Sequence, residues 1–224
     1  MKQTAWHGSC SSLGMELTMT LIRSIFSSNT SVNELKSEII RKMLHFLIAL
    51  TPIMAAFNKT ATVVILIIGT LGYTLMEYLR LSGVKVPIIS SITSMASRPR
   101  DIGHFVMGPV TLGLGALLAL LLYPSNAAAI AIYALAFGDG AASLVGKLFG
   151  KWRPAFLYGK SVEGSIACFA GVLISAYAVS GNMQIAFVAA FTAMVVEAMP
   201  LDDYDNLAIP ITVGLAVQFA SVFA

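Results

Sequence analysis

Seven apolar stretches, each close to the length of a bilayer crossing, dominate this chain. They run from about Glu38 to Phe57, Thr60 to Leu81, His104 to Tyr123, Asn126 to Gly150, Ser161 to Ser180, Met183 to Met199 and Leu207 to Phe223. A membrane-spanning helix needs about 20 mostly apolar residues, and a helix satisfies its own backbone polar groups where no water is present. The last two stretches are short and the fourth is polar midway. The expected fold is therefore an all-α polytopic transmembrane helical bundle of about seven spans, within a range of about six to eight. Composition agrees: 57% of the residues are hydrophobic and 11% charged, against about 25% charged in soluble domains. A water-soluble fold of this size has too little polar cover for that much apolar surface.

Residues 1–33 read as an N-terminal extension, polar or interfacial. Met15 to Phe26 is short and mildly amphipathic, without the apolar core and cleavage pattern of a secretory signal. Residues 34–224 read as one membrane-embedded domain without an internal repeat. Cys10 in the polar extension and Cys168 inside an apolar run are not expected to pair.

Positive charge is unevenly shared among the connections. Lys36, Arg41 and Lys42 attend the start of the first span. Arg80, Lys85, Arg98 and Arg100 follow the second, and Lys147, Lys151, Arg153 and Lys160 follow the fourth. Lys59 stands alone after the first, and the loops after the third and fifth carry none. Cytoplasmic loops are enriched in Lys and Arg. The N-terminus and the loops after spans two, four and six are thus expected in the cytoplasm, and the C-terminus outside. With this alternation His45, Glu77, His104, Asp139, Glu163, Glu197, Asp202, Asp203 and Asp205 all fall on the cytoplasmic side. Ionisable groups within spans are costly and usually face a polar cavity; one cytoplasm-facing cavity accommodates them all. A net charge of +3 is no nucleic-acid signature, so the expected partners are membrane lipids and small molecules. A homodimer is left open.

Four stretches carry candidate chemistry. In the run Phe137 to Gly150, the residues Gly138, Ala142, Gly146 and Gly150 form a small-residue stripe at helical spacing, which admits another helix or a ligand close to the backbone. Asp139, Ser143 and Lys147 occupy the adjoining face. In Gly159-Lys160-Ser161-Val162-Glu163-Gly164-Ser165, Ser161 suits a helix N-cap. Free N–H groups, Lys160 and two glycines then outline a phosphate cradle. The plainer alternative is an ordinary capped helix start. From Glu197 to Pro210, Glu197, Asp202, Asp203, Asp205 and Asn206 concentrate oxygen ligands of the kind Mg²⁺ takes together with nucleotide phosphates, or else form a solvated acidic loop. Arg41, Lys42 and His45 open the first span, as phosphate ligands or as snorkelling anchors. Glu77 with Arg80, and Arg98, Arg100, Asp101 and His104, are weaker groups of the same kind, and Glu77 and Arg80 are spaced to pair.

These stretches resemble the CTP-dependent lipid kinase family that includes dolichol kinase, phytol kinase and the fungal CTP-dependent diacylglycerol kinases. The matching elements are RKxxH at Arg41, Lys42 and His45; DGxAxxxG around Asp139, Gly140, Ala142 and Gly146; KSxEGS from Lys160 to Ser165; and an acidic run from Glu197 to Pro210. They stand in the family's order over most of residues 41–210, with Tyr204 inserted between Asp203 and Asp205. The resemblance implies CTP as phosphoryl donor and a lipid alcohol as acceptor: a prenol, polyprenol, phytol or diacylglycerol. With Mg²⁺ as the cofactor the acidic run suggests, phosphoryl transfer gives expected catalytic roles to Asp139, Lys147, Arg41, Lys42 and His45. Nucleotide contacts fall to Gly140, Ser143, Gly146, Lys160, Ser161, Glu163, Gly164 and Ser165, and metal ligation to Asp202, Asp203, Asp205, Asn206 and Glu197. Asp139 is expected to be the base or a metal ligand. Two other readings compete: a CDP-lipid synthase, whose acidic signature is missing here, and a small proton-coupled transporter, against which the polar-poor outer halves argue.

Overall fold

The computed structural model describes residues 37–84 and 103–223. The extension 1–33 with its Met15–Phe26 stretch, Cys10, and Lys36, Lys85, Arg98, Arg100 and Asp101 lie outside the described residues. Every regular element among the described residues is helical. Four runs are long and apolar enough to cross a membrane: Ser37–Leu81, Ser125–Leu148, Val162–Ser180 and Asp202–Phe223. Gly108–Leu122 and Met183–Glu197 are shorter apolar helices. At about 1.5 Å per residue such 15-residue helices reach about 22 Å, less than the full hydrocarbon thickness.

The run Ser37–Leu81 is not one rod. Asn58 has φ −155° and ψ 100°, far from helical, and its Oδ1 accepts from Ala61 N at 2.9 Å, as an N-cap does. We call residues 37–57 α1 and residues 59–81 α2. A straight helix would hold Lys42 and Glu77 about 52 Å apart, but contacts put them at one end of the molecule. Lys42, Asp139 and Asp205 line one cleft, the neighbouring Asn206 bonds Thr111, and Glu77 bonds Val106 nearby. The chain therefore reverses at Asn58, where the sequence separates its first two spans.

The remaining helices are α3 (Gly108–Leu122), α4 (Ser125–Leu148), α5 (Val162–Ser180), α6 (Met183–Glu197) and α7 (Asp205–Phe223). Short 3₁₀ turns, Ala155–Leu157 and Asp202–Tyr204, lie in the connections. α4 is continuous but contains a π-turn over Ala134–Asp139. The core is built on small side chains: Ala116, Ala131, Ala134, Ala189, Ala190 and Ala193 are all fully buried. Small residues let helices approach closely where hydrocarbon solvent gives no hydrophobic drive for association. The large apolar side chains face outward instead, Phe57, Ile68 and Phe219 among them, the arrangement a lipid-facing surface requires.

Pro210 sits inside α7. It has no N–H for the carbonyl of Asn206 four residues earlier, and that oxygen lies against Gly115 of α3, so close that any Cβ at 115 would collide with it. A proline and a glycine thus lock α3 to α7 just below the polar end of the bundle. Glu77 does the same for α2. Its carboxylate takes two bonds of 2.7 Å from Arg80 and one of 3.0 Å from Val106 N, while Arg80 also reaches His104 O at 3.1 Å. The pairing expected of Glu77 and Arg80 is present, and it fastens the entry to α3.

Candidate functional site

α1 and α4 each carry polar residues about one turn apart, and the two rows meet. On α1 the row is Glu38, Lys42 and His45; on α4 it is Asp139, Ser143 and Lys147. The helices run antiparallel, so opposite ends pair. Lys42 Nζ donates to Asp139 Oδ2 at 2.5 Å, and His45 Nδ1 stands 2.9 Å from the same oxygen, off the direction of a hydrogen bond. At the other end Glu38 accepts from Ser143 Oγ at 2.5 Å and pairs with both Lys147 and Arg41. Glu38, Lys42, His45 and Asp139 are each no more than 4% exposed. Charges so deeply buried are tolerated only when paired, so each row supplies the partners the other needs.

Asp139 closes the π-turn. The wide turn carries the buried apolar residues Ala134, Leu135 and Ala136 and ends on Asp139, the first member of the polar row. Such turns occur mostly as single insertions and often at functional sites.

The second wall comes from the connection into α5. Ser161 is its N-cap, its Oγ accepting from Gly164 N at 3.1 Å. Lys160 Nζ pairs with Glu197 Oε1 at 3.0 Å and donates to the Glu197 carbonyl. Arg153 donates to Gly159 O at 2.6 Å and to Gly146 O at 2.8 Å, meeting a carbonyl that the end of α4 leaves unpaired. The small-residue stripe packs here. A Cβ at Gly164 would stand 2.7 Å from Ala142 O, and one at Gly146 3.0 Å from Ser161 Oγ. Of the two uses the stripe permits, it serves close helix packing.

Between these walls and the loop before α7 lies a cleft of about 270 Å³. Four cations line it, Lys42, Lys147, Arg153 and Lys160, and so do four carboxylates, Asp139, Glu197, Asp202 and Asp205. Ser143, Gly146, Ser161, Gly164 and Tyr158 also line it. Tyr158 and Asp202 both have left-handed backbones, φ +50° and +53°, a conformation few non-glycine residues adopt and one that collects at ligand clamps.

The structure thus gathers Asp139, Lys147, Lys42, Ser143, Gly146, Lys160, Ser161, Gly164, Glu197, Asp202 and Asp205 at one cleft. It places the other sequence candidates beside it. His45 backs Asp139, and Arg41 turns to Glu38. Glu163 Oε1 accepts from the backbone of Lys151 and Trp152 at 3.0 and 3.2 Å, shaping the loop. Ser165 Oγ bonds Ser161 O at 3.4 Å, and Gly140 lies under the ring of Phe46. Asn206 points away, its Nδ2 bonding Thr111 Oγ1 at 2.9 Å. Asp203 is half-buried outside the cleft lining. Sequence reasoning passed over Glu38, which it used only to mark a span boundary, and Arg153 and Tyr158. An acid one turn before Lys42, at i−3 from Arg41, was the available signal for Glu38.

The cleft's acids fit a divalent cation held jointly with a ligand. Among the described residues no three His, Cys, Asp or Glu side chains converge on one cation position. Asp202 and Asp205 do line the cleft, and Glu197 Oε2 is buried without a partner. Mg²⁺ usually takes one or two carboxylates and completes its shell with water and substrate phosphates, so a partial set is what it needs from the protein.

One comparison bears on the chemistry. The chain is similar to a lipid kinase. CTP-dependent diacylglycerol kinase 1 from Eremothecium gossypii is 29% identical to it over 111 residues, which are 49% of this chain and 35% of that protein. The matched region therefore spans about a third of that relative's length. No protein-family model and no solved structure matches the chain. The partial match and the apolar helices together fit a multi-pass membrane lipid kinase.

Proposed function

We propose that the chain transfers the γ-phosphoryl group of a nucleoside triphosphate, CTP by analogy with its relative, to the hydroxyl of a lipid alcohol at this cleft. The observation that carries the reading is the lining itself: four cations and four carboxylates around one opening in an otherwise apolar bundle. A pocket for a bare anion needs only the cations. Equal numbers of both suit an anion that arrives with a metal, as a nucleotide does.

Lys147, Lys160 and the N–H groups at the start of α5 hold the triphosphate. Asp202, Asp205 and Glu197 are the residues that would hold Mg²⁺, which would supply neutralising charge for the phosphates. The alcohol oxygen attacks the γ-phosphorus and forms the new P–O bond, while the bond from that phosphorus to the bridging oxygen breaks and releases CDP. Asp139 accepts the hydroxyl proton, and the His45 ring stands beside its Oδ2 at 2.9 Å. Lys42, paired with Asp139, lines the cleft where the phosphoryl group is transferred. Arg41 acts through Glu38. In this reading the cleft opens to the cytoplasm, the N-terminus is cytoplasmic, the chain crosses about seven times and the C-terminus lies outside.

The test is purified full-length protein in nanodiscs with γ-labelled CTP or ATP and a panel of prenol, phytol, polyprenol and diacylglycerol. Label in a lipid monophosphate is the expected result. No transfer to any alcohol, or a product heavier by a whole CMP, overturns the reading. Asp139→Asn lowers turnover by about 10²–10⁴-fold, the usual share of a positioned base, while nucleotide binding persists. Near-normal turnover in that variant removes Asp139 from the mechanism.

A further inference from the structure

The connection from α4 to α5, residues 149–161, carries four large aromatic side chains, and they face outward. Phe149, Trp152, Phe156 and Tyr158 are each between 65% and 72% exposed. They stand outside the helical spans, where water rather than hydrocarbon is the expected surrounding. The connection after α3 treats its aromatic residue differently: Tyr123 is buried, and its hydroxyl donates to Ile211 O at 2.6 Å. Soluble surfaces seldom leave so much aromatic area in water without an interaction to explain it.

The segment is a folded element with an inner and an outer side. Glu163 Oε1 accepts from the backbone of Lys151 and Trp152, Val162 N donates to Trp152 O at 3.0 Å, and Leu157 N donates to Pro154 O at 3.0 Å. Arg153 fastens the Gly159 and Gly146 carbonyls. Leu157 is buried, and Lys160 turns inward to Glu197. These bonds hold Phe149, Trp152 and Phe156 on the remaining, outer side.

The neighbouring helices set the depth of that side. α5 begins at Val162 and has 19 residues, about 28 Å in length, close to the hydrocarbon thickness of about 30 Å. Its first turn therefore lies at the hydrocarbon boundary, and the connection feeding it lies at headgroup level. Leu148 at the end of α4 and Ile166 near the start of α5 are exposed as well, so both helices bring a lipid-facing surface up to the connection. From Lys147 to Lys160 the sequence holds four cations and no acid. Amphipathic rings and long-stemmed cations are the residues of a membrane–water boundary, where headgroup phosphates answer the cations.

We infer that residues 149–158 dock into the headgroup layer of the bilayer on the cleft side, with Phe149, Trp152 and Phe156 seated beside the glycerol backbones and Lys151 among the phosphates. The inference rests on the membrane reading and not on the kinase one. It bears on the cleft because Arg153, Tyr158, Gly159 and Lys160 line it: one wall of the cleft is carried by a loop that lipid holds, at the depth where the hydroxyl of a bilayer lipid lies.

Trp6 and Trp152 are the chain's two tryptophans, so Trp6→Phe leaves Trp152 as a single fluorescent reporter within the loop. The test uses that full-length variant in phosphatidylcholine nanodiscs whose acyl chains are brominated either at the glycerol end or at the methyl end. The emission is expected to be blue-shifted from that of the unfolded chain and quenched at least twofold more by glycerol-end than by methyl-end bromines. Quenching by aqueous acrylamide is expected to fall at least fivefold below that of the unfolded chain. Phe149→Ser with Phe156→Ser leaves the loop's hydrogen bonds in place, and is expected to halve the lipid quenching and to raise that by acrylamide. Thermal unfolding checks that this variant folds; if it does not, the Trp6→Phe measurements decide alone. Emission that acrylamide quenches and bromolipid leaves untouched overturns the docking. So does strongest quenching from the methyl end, or a folded double variant with unchanged quenching. An inactive preparation with glycerol-end quenching of Trp152 leaves the docking standing while the kinase reading fails, and an active one without it does the reverse.

Discussion

Two faces of α4 meet their neighbours in opposite ways. Towards α1 it presents Asp139, Ser143 and Lys147, joined to Lys42, His45 and Glu38 by ion pairs and hydrogen bonds. Towards α5 it presents Gly138, Ala142 and Gly146, which bring backbone to within van der Waals contact. The second face is a packing surface, fixed because no atom can be added without moving a helix. The first is held by ion pairs and hydrogen bonds, and two of its cations, Lys42 and Lys147, also line the cleft. The same helix is thereby anchored on one side and chemically available on the other, and Asp139 sits where the two properties meet. The comparison makes distinct demands on substitutions at the two faces.

The largest effect on stability is expected where a charge on the polar face loses its partner. Lys42 and Asp139 are both almost fully buried. Lys42→Met leaves the Asp139 carboxylate without a cation, and breaking a buried pair from one side costs about 3–5 kcal/mol. Lys42→Met with Asp139→Leu replaces both partners by apolar groups, a change that is often neutral or better. Unfolding of the single and double variants in detergent measures both. Recovery of most of the loss in the double variant, without recovery of turnover, identifies the pair as a functional expense. A single variant as stable as the parent shows that His45 or water already satisfies Asp139, and the polar face would then be no less fixed than the packed one.

The stripe and the row were both legible in the sequence because helical spacing is local: residues four apart share a face whatever the rest of the chain does. The break between the first two helices was legible for a similar reason, since Lys59 beside Asn58 interrupts the apolar run. What spacing cannot give is which face meets which helix. Gly140 belonged on sequence to the nucleotide site and stands under Phe46. Glu163, the fourth residue of KSxEGS, is turned to the loop backbone, because an acid in the first turn of a helix finds N–H donors in the segment folding back over it. Asn206 lies beside Asp205 but is swung away by the bond to Thr111 on α3. Glu38 is the instructive omission. On sequence it only marks where the first span begins, and the antiparallel docking of α1 on α4 brings it to Lys147.

On the packed face the expected cost is smaller and purely steric. Gly164→Val places atoms where Ala142 O lies 2.7 Å from the first added carbon, so α4 and α5 must part. Overpacking of this kind costs about 1–3 kcal/mol. A lower midpoint of thermal unfolding is the readout, with a matching loss of turnover because the Ser161 cap and the cleft wall move together. A variant with unchanged stability means the two helices are not held at this distance, and the contrast between the faces fails.

The smallest change in stability is expected at Lys147, and it sharpens the contrast most. Its side chain is 44% exposed, and solvent-exposed pairs are worth about 0–1 kcal/mol. Glu38 keeps Arg41 and Ser143 when the lysine is gone, so Lys147→Ala should shift unfolding by less than about 1 kcal/mol. The same ammonium is a direct ligand of the nucleotide in the proposed reaction. Its removal should weaken CTP binding about tenfold, equivalent to about 1.4 kcal/mol, with the KM for the alcohol unchanged. Equilibrium binding of a non-hydrolysable CTP analogue to the variant, beside its thermal unfolding curve, measures both quantities on one preparation. A loss of binding without a loss of stability is what a cation held in reserve for phosphate produces. Equal losses in both would mean that Lys147 serves Glu38 and the fold, and that the polar face of α4 is a second packing surface written in charges.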